Sequence, residues 1–128
     1  PSKSTLSSSS AASDVYKRQI FNISRTVLVT EALRTGDLTL LGIAMKDSLH
    51  QPYRLPLIPG AIAALDAGKE AGAAAVALSG AGPGLIAFSS QMHPAIGAAM
   101  KQAFADAGLQ ARVFELETSY EGAEVTIV

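Results

Sequence analysis

Apolar residues recur every three or four positions over residues 20–34, which predicts an amphipathic helix. The stripe consists of Ile20, Ile23, Val27 and Leu28. Gly36 follows with Arg34 in the last turn, a combination that is typical of a helix end. Asp37 is then a suitable N-cap for a second helix, because its carboxylate can accept a hydrogen bond from a free backbone N–H. The inner face of this second helix is predicted to carry Leu38, Leu41 and Met45.

Prolines mark residues 49–59, which we therefore predict to form an irregular connector. Pro52, Pro56 and Pro59 lie in this stretch, and proline cannot donate a backbone hydrogen bond. A third helix is predicted over residues 59–71, since proline suits the first helical position and Gly72 suits the position after the last one.

Two short apolar runs after the third helix predict a β-hairpin. Residues 74–78 have the length of a buried strand, and residues 85–88 form a second run after a glycine-rich loop. A further helix is expected to open at Pro94 and to close at Gly108. Its buried stripe would consist of Ile96, Met100, Ala103 and Phe104.

Alternating apolar residues near the end of the chain predict two more strands. One covers residues 112–116, and the other covers residues 123–127 after a turn at Glu121 and Gly122. One additional strand upstream of Ile20 would complete the βαββαβ order of a ferredoxin-like domain. The sequence therefore predicts an α+β, ferredoxin-like domain whose first strand is missing.

Residues 1–19 differ in composition from the rest of the chain. They are rich in serine and show no hydrophobic period, so we expect a disordered tail. Residues 14–19 can be encoded by GAT GTG TAT AAG AGA CAG, which resembles the end sequence that a transposase inserts during sequencing-library preparation. We therefore predict that residues 1–19 are non-native and that one domain spans residues 20–128.

Composition and charge argue against several classes of function. The chain has 128 residues, of which 48% are apolar and 16% charged, and this suits one globular domain. A formal net charge of −1 without a basic cluster argues against nucleic acid and membrane as partners. Cysteine is absent and only two histidines are present, so we expect no metal site in this chain and a cytoplasmic location.

The glycine-rich loop between the two predicted strands is the most informative candidate site. It consists of Ser79, Gly80, Ala81, Gly82, Pro83 and Gly84. Glycine permits sharp turns and close backbone approach, and consecutive N–H groups in such a loop can hold an anion. A tight hairpin that binds nothing fits the same pattern, and the Gly-Lys-Ser/Thr of a Walker loop is missing. Both interpretations stay open at this level.

Two arginines are candidate ligands for a carboxylate. Arg25 lies one helical turn from Phe21 and Leu28, and Arg54 lies in the proline-rich connector. The planar guanidinium can donate two parallel hydrogen bonds to a carboxylate, although solvation or a structural ion pair is an alternative for each. His50 is a candidate base or hydrogen-bond donor, with a structural role as the alternative. We interpret the following acids as solvated surface: Asp47, Glu115, Glu117, Glu121 and Glu124.

Four short segments occur in an order and spacing that are typical of one enzyme family. They cover residues 21–25, 44–54, 56–60 and 78–83, and residues 121–125 match the family's last strand. Together they resemble the homoserine kinases of the GHMP class, over essentially residues 20–128. Ser-Gly-Ala-Gly-Pro alone would mark only the class, whereas His-Gln-Pro-Tyr-Arg with Leu-Ile-Pro-Gly narrows the resemblance to homoserine kinase.

This resemblance implies the C-terminal domain of an enzyme that transfers the γ-phosphate of ATP to the hydroxyl of L-homoserine, with Mg²⁺, on the route to threonine. It implies that Arg25 and Arg54 hold the carboxylate of the substrate. It also implies that the loop formed by Ser79, Gly80, Ala81 and Gly82 supports the phosphate-binding loop. The resemblance implies no catalytic residue and no metal ligand in this chain. The family usually places Thr or Ser where this chain has Gly84, so a hydroxyl is missing there.

The ATP-binding glycine motif and the Mg²⁺-binding acid of the family belong to its N-terminal half, which this sequence lacks. We therefore expect the chain alone to be an inactive kinase of low stability, and we treat the full-length parent as a candidate homodimer. One alternative is another GHMP kinase, with a mevalonate-type or sugar substrate that would not need the two arginines. The other is a stand-alone ferredoxin-like module that binds an amino acid and would require a complete four-stranded sheet.

Overall fold

The first helix is longer than the sequence pattern predicts. The computed structural model describes residues 3–126, with side chains from residue 11 onward, and it places α1 at Lys3–Thr35. The disordered tail expected over residues 1–19 is therefore wrong for residues 3–19, while Pro1 and Ser2 lie outside the described residues. Once a helix is nucleated, each added residue contributes one hydrogen bond, and the Ala, Lys, Arg and Gln residues of this stretch favour helix. The non-native origin of the stretch stays a prediction.

Most of the apolar stripe of α1 lies on its exposed side, and only Leu28 is half-buried. Ile20, Ile23 and Val27 are 49%, 67% and 65% exposed, whereas Ala32 is 2% exposed and half-buried Val29 packs beside it. The helix therefore meets the rest of the protein through a neighbouring face. Although α1 has 33 residues, neither it nor another described helix is apolar enough over a sufficient length to cross a membrane.

A tight turn brings α2 (Leu38–Ala44) back onto α1, as the sequence predicts. Gly36 adopts a φ of +71°, a conformation that only glycine adopts without cost. The Asp37 carboxylate accepts a hydrogen bond from the backbone N–H of Leu40 at 2.8 Å, which confirms its N-cap role. The core at this crossing is formed by Ala32, Leu41 and Ala75.

Residues 51–57 are helical, so the irregular connector predicted over residues 49–59 is wrong for that central part. They contain α3 (Gln51–Arg54) and a 3₁₀ turn (Leu55–Leu57). Pro52 and Pro56 lie in the first turns of these two elements, where the missing N–H would have had no intrahelical acceptor. The prolines thus begin helical turns instead of interrupting them.

A helical pair and a hairpin complete the described fold, close to their predicted positions. The remaining elements are α4 (Ala61–Glu70), β1 (Ala75–Leu78), β2 (Leu85–Phe88) and α5 (Pro94–Asp106). The strands pair antiparallel, with Ala75 opposite Phe88 and Leu78 opposite Leu85. α4 packs against both α5 and β1. Mixed helices with a small antiparallel sheet confirm the α+β class.

Helix α2 lies unusually close to the start of the hairpin at Gly42. A β-carbon at this position would be 2.4 Å from the carbonyl oxygen of Ala74. Real β-carbons do not approach another heavy atom so closely, because interiors are packed at van der Waals separation. Glycine at position 42 therefore sets the distance between the helix and the strand.

Residues 109–126 contain no helix or strand, so the strands predicted over residues 112–116 and 123–126 are not formed. Ile127, at the end of the second one, lies outside the described residues. In a ferredoxin-like sheet the last strand pairs with the first one, and the described residues contain no such first strand. A segment without a partner gains no ladder hydrogen bonds. Phe114 and Leu116 are accordingly 68% and 81% exposed.

Candidate active site

The glycine-rich loop forms the tight connection between β1 and β2. The N–H of Ser79 donates to the carbonyl of Gly84 at 2.8 Å, and the N–H of Gly82 donates to the carbonyl of Ser79 at 3.0 Å. Gly80 and Gly82 have φ values of +56° and +81°, and the peptide bond between Gly82 and Pro83 is cis. The loop needs glycine at positions 80 and 82, because other L-residues adopt positive φ only at a cost.

Two consecutive residues at the tip of this loop have backbone N–H groups without an acceptor in the described structure. Gly80 and Ala81 are exposed, and neither backbone N–H donates to an acceptor within the described part of the chain. Adjacent backbone N–H groups in a turn form a concave site that suits one anion. The loop is thus compatible with a phosphate-supporting role, and that role stays a prediction.

Arg54 contacts the loop directly. Its Nε donates a hydrogen bond to the carbonyl oxygen of Ala81 at 2.9 Å, and the side chain is exposed. The terminal nitrogens Nη1 and Nη2 bind no acceptor among the residues that the structure describes. One edge of the guanidinium therefore holds the loop, while the other edge can receive a carboxylate.

Gln51 ties the same short helix to the strand that leads into the loop. Its Oε1 accepts a hydrogen bond from the N–H of Leu78, the last residue of β1, at 2.9 Å. Because Gln51 and Arg54 both lie on α3, the helix is bonded to the hairpin just before the loop and again within it. Sequence reasoning did not single out Gln51, although it belongs to the His-Gln-Pro-Tyr-Arg segment.

Asp47 binds the start of α3 and also α1, so our interpretation of this residue as solvated surface is wrong. Its carboxylate is half-buried and accepts hydrogen bonds from the backbone N–H groups of Leu49 at 3.1 Å and His50 at 2.8 Å. It also accepts bonds from the N–H of Gln51 and from the side-chain amide of Asn22 on α1. An acid placed shortly before a proline at the first turn of a helix is the sequence signal that could have indicated this cap.

The hydrogen bonds to Asp47 also favour its ionised form. Burial raises the pKa of this carboxyl, but the bonds from Asn22 and from the backbone N–H groups of Gln51, Leu49 and His50 outweigh burial and lower the pKa below its usual value. The carboxylate is therefore ionised at neutral pH and acts as an acceptor for all four donors.

Arg25 lies three residues after Asn22 and therefore on the same side of α1. Its guanidinium is stacked over the ring of Phe21, 4.6 Å from the centroid. The Nε atom is buried and has no hydrogen-bond partner in the described structure. A buried donor without a partner is costly, so an acceptor placed at this atom would be stabilising.

The other candidate residues do not assemble into a site. His50 is exposed and forms no side-chain cap on α3, and the acids at positions 115, 117, 121 and 124 are exposed as predicted. Within the described residues no group of three or more His, Asp or Glu side chains could hold a metal ion. An open cleft of about 610 Å³ lies at the other end of the hairpin, where Ala74 and Ser89 are part of its lining, and so it does not include the glycine-rich loop.

The chain belongs to the C-terminal domain family of the GHMP kinases, since residues 29–106 match the family described as GHMP kinases C terminal. Among individual relatives, it is 52% identical over 106 residues to the homoserine kinase of Moorella thermoacetica, an alignment that covers 83% of this chain and 36% of that protein. It is 39% identical over 109 residues to the homoserine kinase of Persephonella marina, covering 85% of this chain and 36% of that protein.

A solved structure leads to the same family. The crystal structure of the homoserine kinase from Cytophaga hutchinsonii superimposes with a TM-score of 0.67 at 30% identity, over 70% of this chain and 29% of that one. The chain thus spans about a third of the length of the relatives that it matches. The resemblance to the family of homoserine kinases is confirmed, and the roles of individual residues stay predictions.

Proposed function

We propose that this chain is the C-terminal part of an ATP-dependent homoserine kinase, which phosphorylates the side-chain hydroxyl of L-homoserine. The observation that carries the proposal is the hydrogen bond from Arg54 Nε to the carbonyl of Ala81. This bond places a cation that suits a carboxylate beside a loop that suits a phosphate. Homoserine is a small amino acid with a carboxylate at one end and the reacting hydroxyl at the other, so it fits such a pair of neighbouring subsites.

The chemistry that this arrangement supports is positioning. Phosphoryl transfer depends mainly on alignment of the reacting groups and on stabilisation of charge. The free edge of the Arg54 guanidinium fixes the carboxylate, with Arg25 as the second proposed ligand. The N–H groups of Gly80 and Ala81 support the phosphate side of the site. The missing acceptor for Arg25, whose Nε has no protein partner, would be an oxygen of the same carboxylate.

ATP and Mg²⁺ enter this proposal through the family. ATP supplies the phosphoryl group, and the loop that contains Gly80 and Ala81 fits a supporting role beside its phosphates. The described residues offer no cluster for Mg²⁺, so we assign no step to a metal held by this chain. The threonine pathway and the cytoplasmic location also follow from the family resemblance and stay predictions.

We expect L-homoserine to bind this chain through Arg54. Titration of the isotopically labelled chain should shift the NMR signals of Arg54 Nε–H and of the Ala81 and Gly82 amides. Replacing Arg54 by lysine (R54K) should weaken binding about tenfold or more, because an ammonium group cannot hold the loop carbonyl and a carboxylate in the same fork geometry.

Two controls make this titration specific. Arg34→Lys changes an arginine that pairs with Glu31 at 2.7 Å on the exposed surface, and it should leave the affinity unchanged. L-Homoserine amide lacks the carboxylate and should bind poorly. Equal binding of the acid and the amide, or an unchanged affinity in R54K, would contradict the proposal.

We also propose that the 128-residue chain has no kinase activity by itself. The sequence contains no Gly-Leu-Gly-Ser-Ser-Ala-Ala pattern, which is the phosphate-binding motif of the family's other half. A coupled assay with ATP, Mg²⁺ and L-homoserine should therefore show no turnover above background. Steady ADP formation that depends on homoserine, and that disappears in R54K, would refute this part of the proposal.

A further inference from the structure

The carboxylate of Asp47 joins the two helices that carry the candidate arginines. On one side it accepts a hydrogen bond from the side-chain amide of Asn22 on α1. On the other side it accepts the backbone N–H groups at the start of α3, including His50 at 2.8 Å. Asn22 continues the connection, because its Oδ1 accepts from the backbone N–H of Ser48 at 3.0 Å and from the hydroxyl of Ser48 at 3.1 Å.

Each of the two helices that Asp47 joins carries an arginine that we propose as a ligand of the substrate's carboxylate. Asn22 and Arg25 are three residues apart on α1 and therefore lie on the same face of the helix. At the other end, α3 carries Gln51 and Arg54, which are bonded to the end of β1 and to the glycine-rich loop. The relative placement of Arg25, Arg54 and the loop thus depends on bonds that meet at one carboxylate.

We propose that Asp47 is a positioning residue, which aligns Arg25 on α1 with Arg54 on α3 and with the glycine-rich loop. Its part in substrate binding rests on the proposed function, whereas its part in aligning the two helices does not. The carboxylate acts by accepting from four donors at once, which a charged side chain with two oxygens can do.

A simpler role would be that Asp47 only caps α3. Asparagine, like aspartate, has an oxygen that accepts from free N–H groups at the start of a helix, so a role limited to capping should survive in Asp47→Asn. The junction should not survive, because the new amide has one acceptor oxygen and its NH₂ would face the NH₂ of Asn22. If Asn22 turned over to offer its oxygen, the N–H of Ser48 would lose its acceptor. The single replacement therefore separates the two roles.

Exchanging the two side chains should restore the junction. In Asn22→Asp/Asp47→Asn, the carboxylate at position 22 can accept from the amide at position 47 and also from the N–H of Ser48. The oxygen of the amide at position 47 remains available to cap α3. If Asp47 acts only as a cap, the double replacement will behave like the single one.

The test compares amide exchange with water, measured by NMR, in the unchanged chain, in the two variants and in Asp66→Asn as a control. Asp66 is an exposed acid that pairs with Lys69 at 3.6 Å within α4. In Asp47→Asn we expect the Ser48 amide to exchange about tenfold faster, the effect of losing one hydrogen bond in a charge-assisted network. The His50 amide should stay within about twofold, and the Nε–H signals of Arg25 and Arg54 should shift.

The double variant should return the Ser48 exchange rate and both arginine signals toward their original values, while Asp66→Asn should leave them unchanged. Unaltered Ser48 exchange and arginine signals in Asp47→Asn, or no restoration in the double variant, would overturn the positioning role. A parallel titration with L-homoserine adds a separate readout, since Asp47→Asn should weaken binding. If the unchanged chain does not bind homoserine, the proposed function fails, and the exchange rates still decide the role of Asp47.

Discussion

Replacing Gly42 by alanine is expected to destabilise the protein by about 2 kcal/mol, although alanine is the better helix former. Helix propensity alone favours Gly42→Ala by about 1 kcal/mol. The new β-carbon, however, would lie 2.4 Å from the carbonyl oxygen of Ala74, so α2 must move away from the hairpin. Overpacking of this kind costs about 1–3 kcal/mol, and we expect the upper end because backbone cannot move aside as a side chain does. Urea denaturation followed by circular dichroism measures the change.

Gly68→Ala is the matched control for this prediction. Gly68 lies inside α4, is buried, and would gain the same helix propensity. Its nearest neighbours are Sδ and Cγ of Met100, at 3.0 Å and 3.1 Å from the added β-carbon, and the Met100 side chain can adjust because it has several rotatable bonds. The loss of stability should therefore be clearly smaller than for Gly42→Ala. Equal losses, or a more stable Gly42→Ala variant, would contradict the proposed close approach.

The second large effect is expected in the glycine-rich loop, where Gly82→Ala should lower the free energy of unfolding by about 2 kcal/mol. A positive φ costs a residue with a β-carbon about 1–2 kcal/mol, and φ at Gly82 is +81°. The added β-carbon would also lie 3.0 Å from Cδ1 of Ile58 and 3.1 Å from Cδ1 of Leu78. These contacts add to the cost, because the tips of both side chains must shift.

Replacing two neighbouring glycines separates the backbone cost of this substitution from the cost of its side-chain contacts. Gly80 has a φ of +56° but nothing within 4 Å of an added β-carbon, so Gly80→Ala isolates the backbone cost of about 1 kcal/mol. At Gly84 φ is not positive and Cβ of Ser79 lies at an ordinary 3.8 Å, so Gly84→Ala should change stability by less than about 0.5 kcal/mol. Denaturation of the three variants should rank position 82 above 80 and 80 above 84. A different order would show that the loop has another conformation.

Local chemistry in the sequence was sufficient to predict several elements. The helix end at Gly36, the N-cap at Asp37 and the hairpin over residues 75–88 each depend on residues within a few positions of one another. The glycine-rich loop was also located from the sequence, since its turn requires positive φ at positions 80 and 82 and glycine adopts such values easily. Features of this kind can be predicted because their causes are short in range.

The features that the sequence did not predict depend on distant partners. Phe114 and Leu116 alternate as strand residues do, but a strand forms only where another strand supplies hydrogen bonds. The link from Asp47 to α1 could not be predicted because its partner Asn22 lies 25 positions away, whereas the cap on α3 depends on neighbouring residues and could have been. The contact between Arg54 and Ala81 spans 27 positions, so the sequence could name both residues but could not place them together.

The close approach at Gly42 also limits how this sequence can change over time. At Gly68 the obstacle is a side chain, so a shorter residue at position 100 could compensate for an added methyl group. At Gly42 the obstacle is a backbone carbonyl oxygen, which every amino acid at position 74 would carry. No second substitution at position 74 can relieve that contact. We therefore expect position 42 to tolerate replacement only when the backbone itself shifts, for example through an insertion or deletion in the turn before β1, whereas positions 68 and 100 can change as a pair.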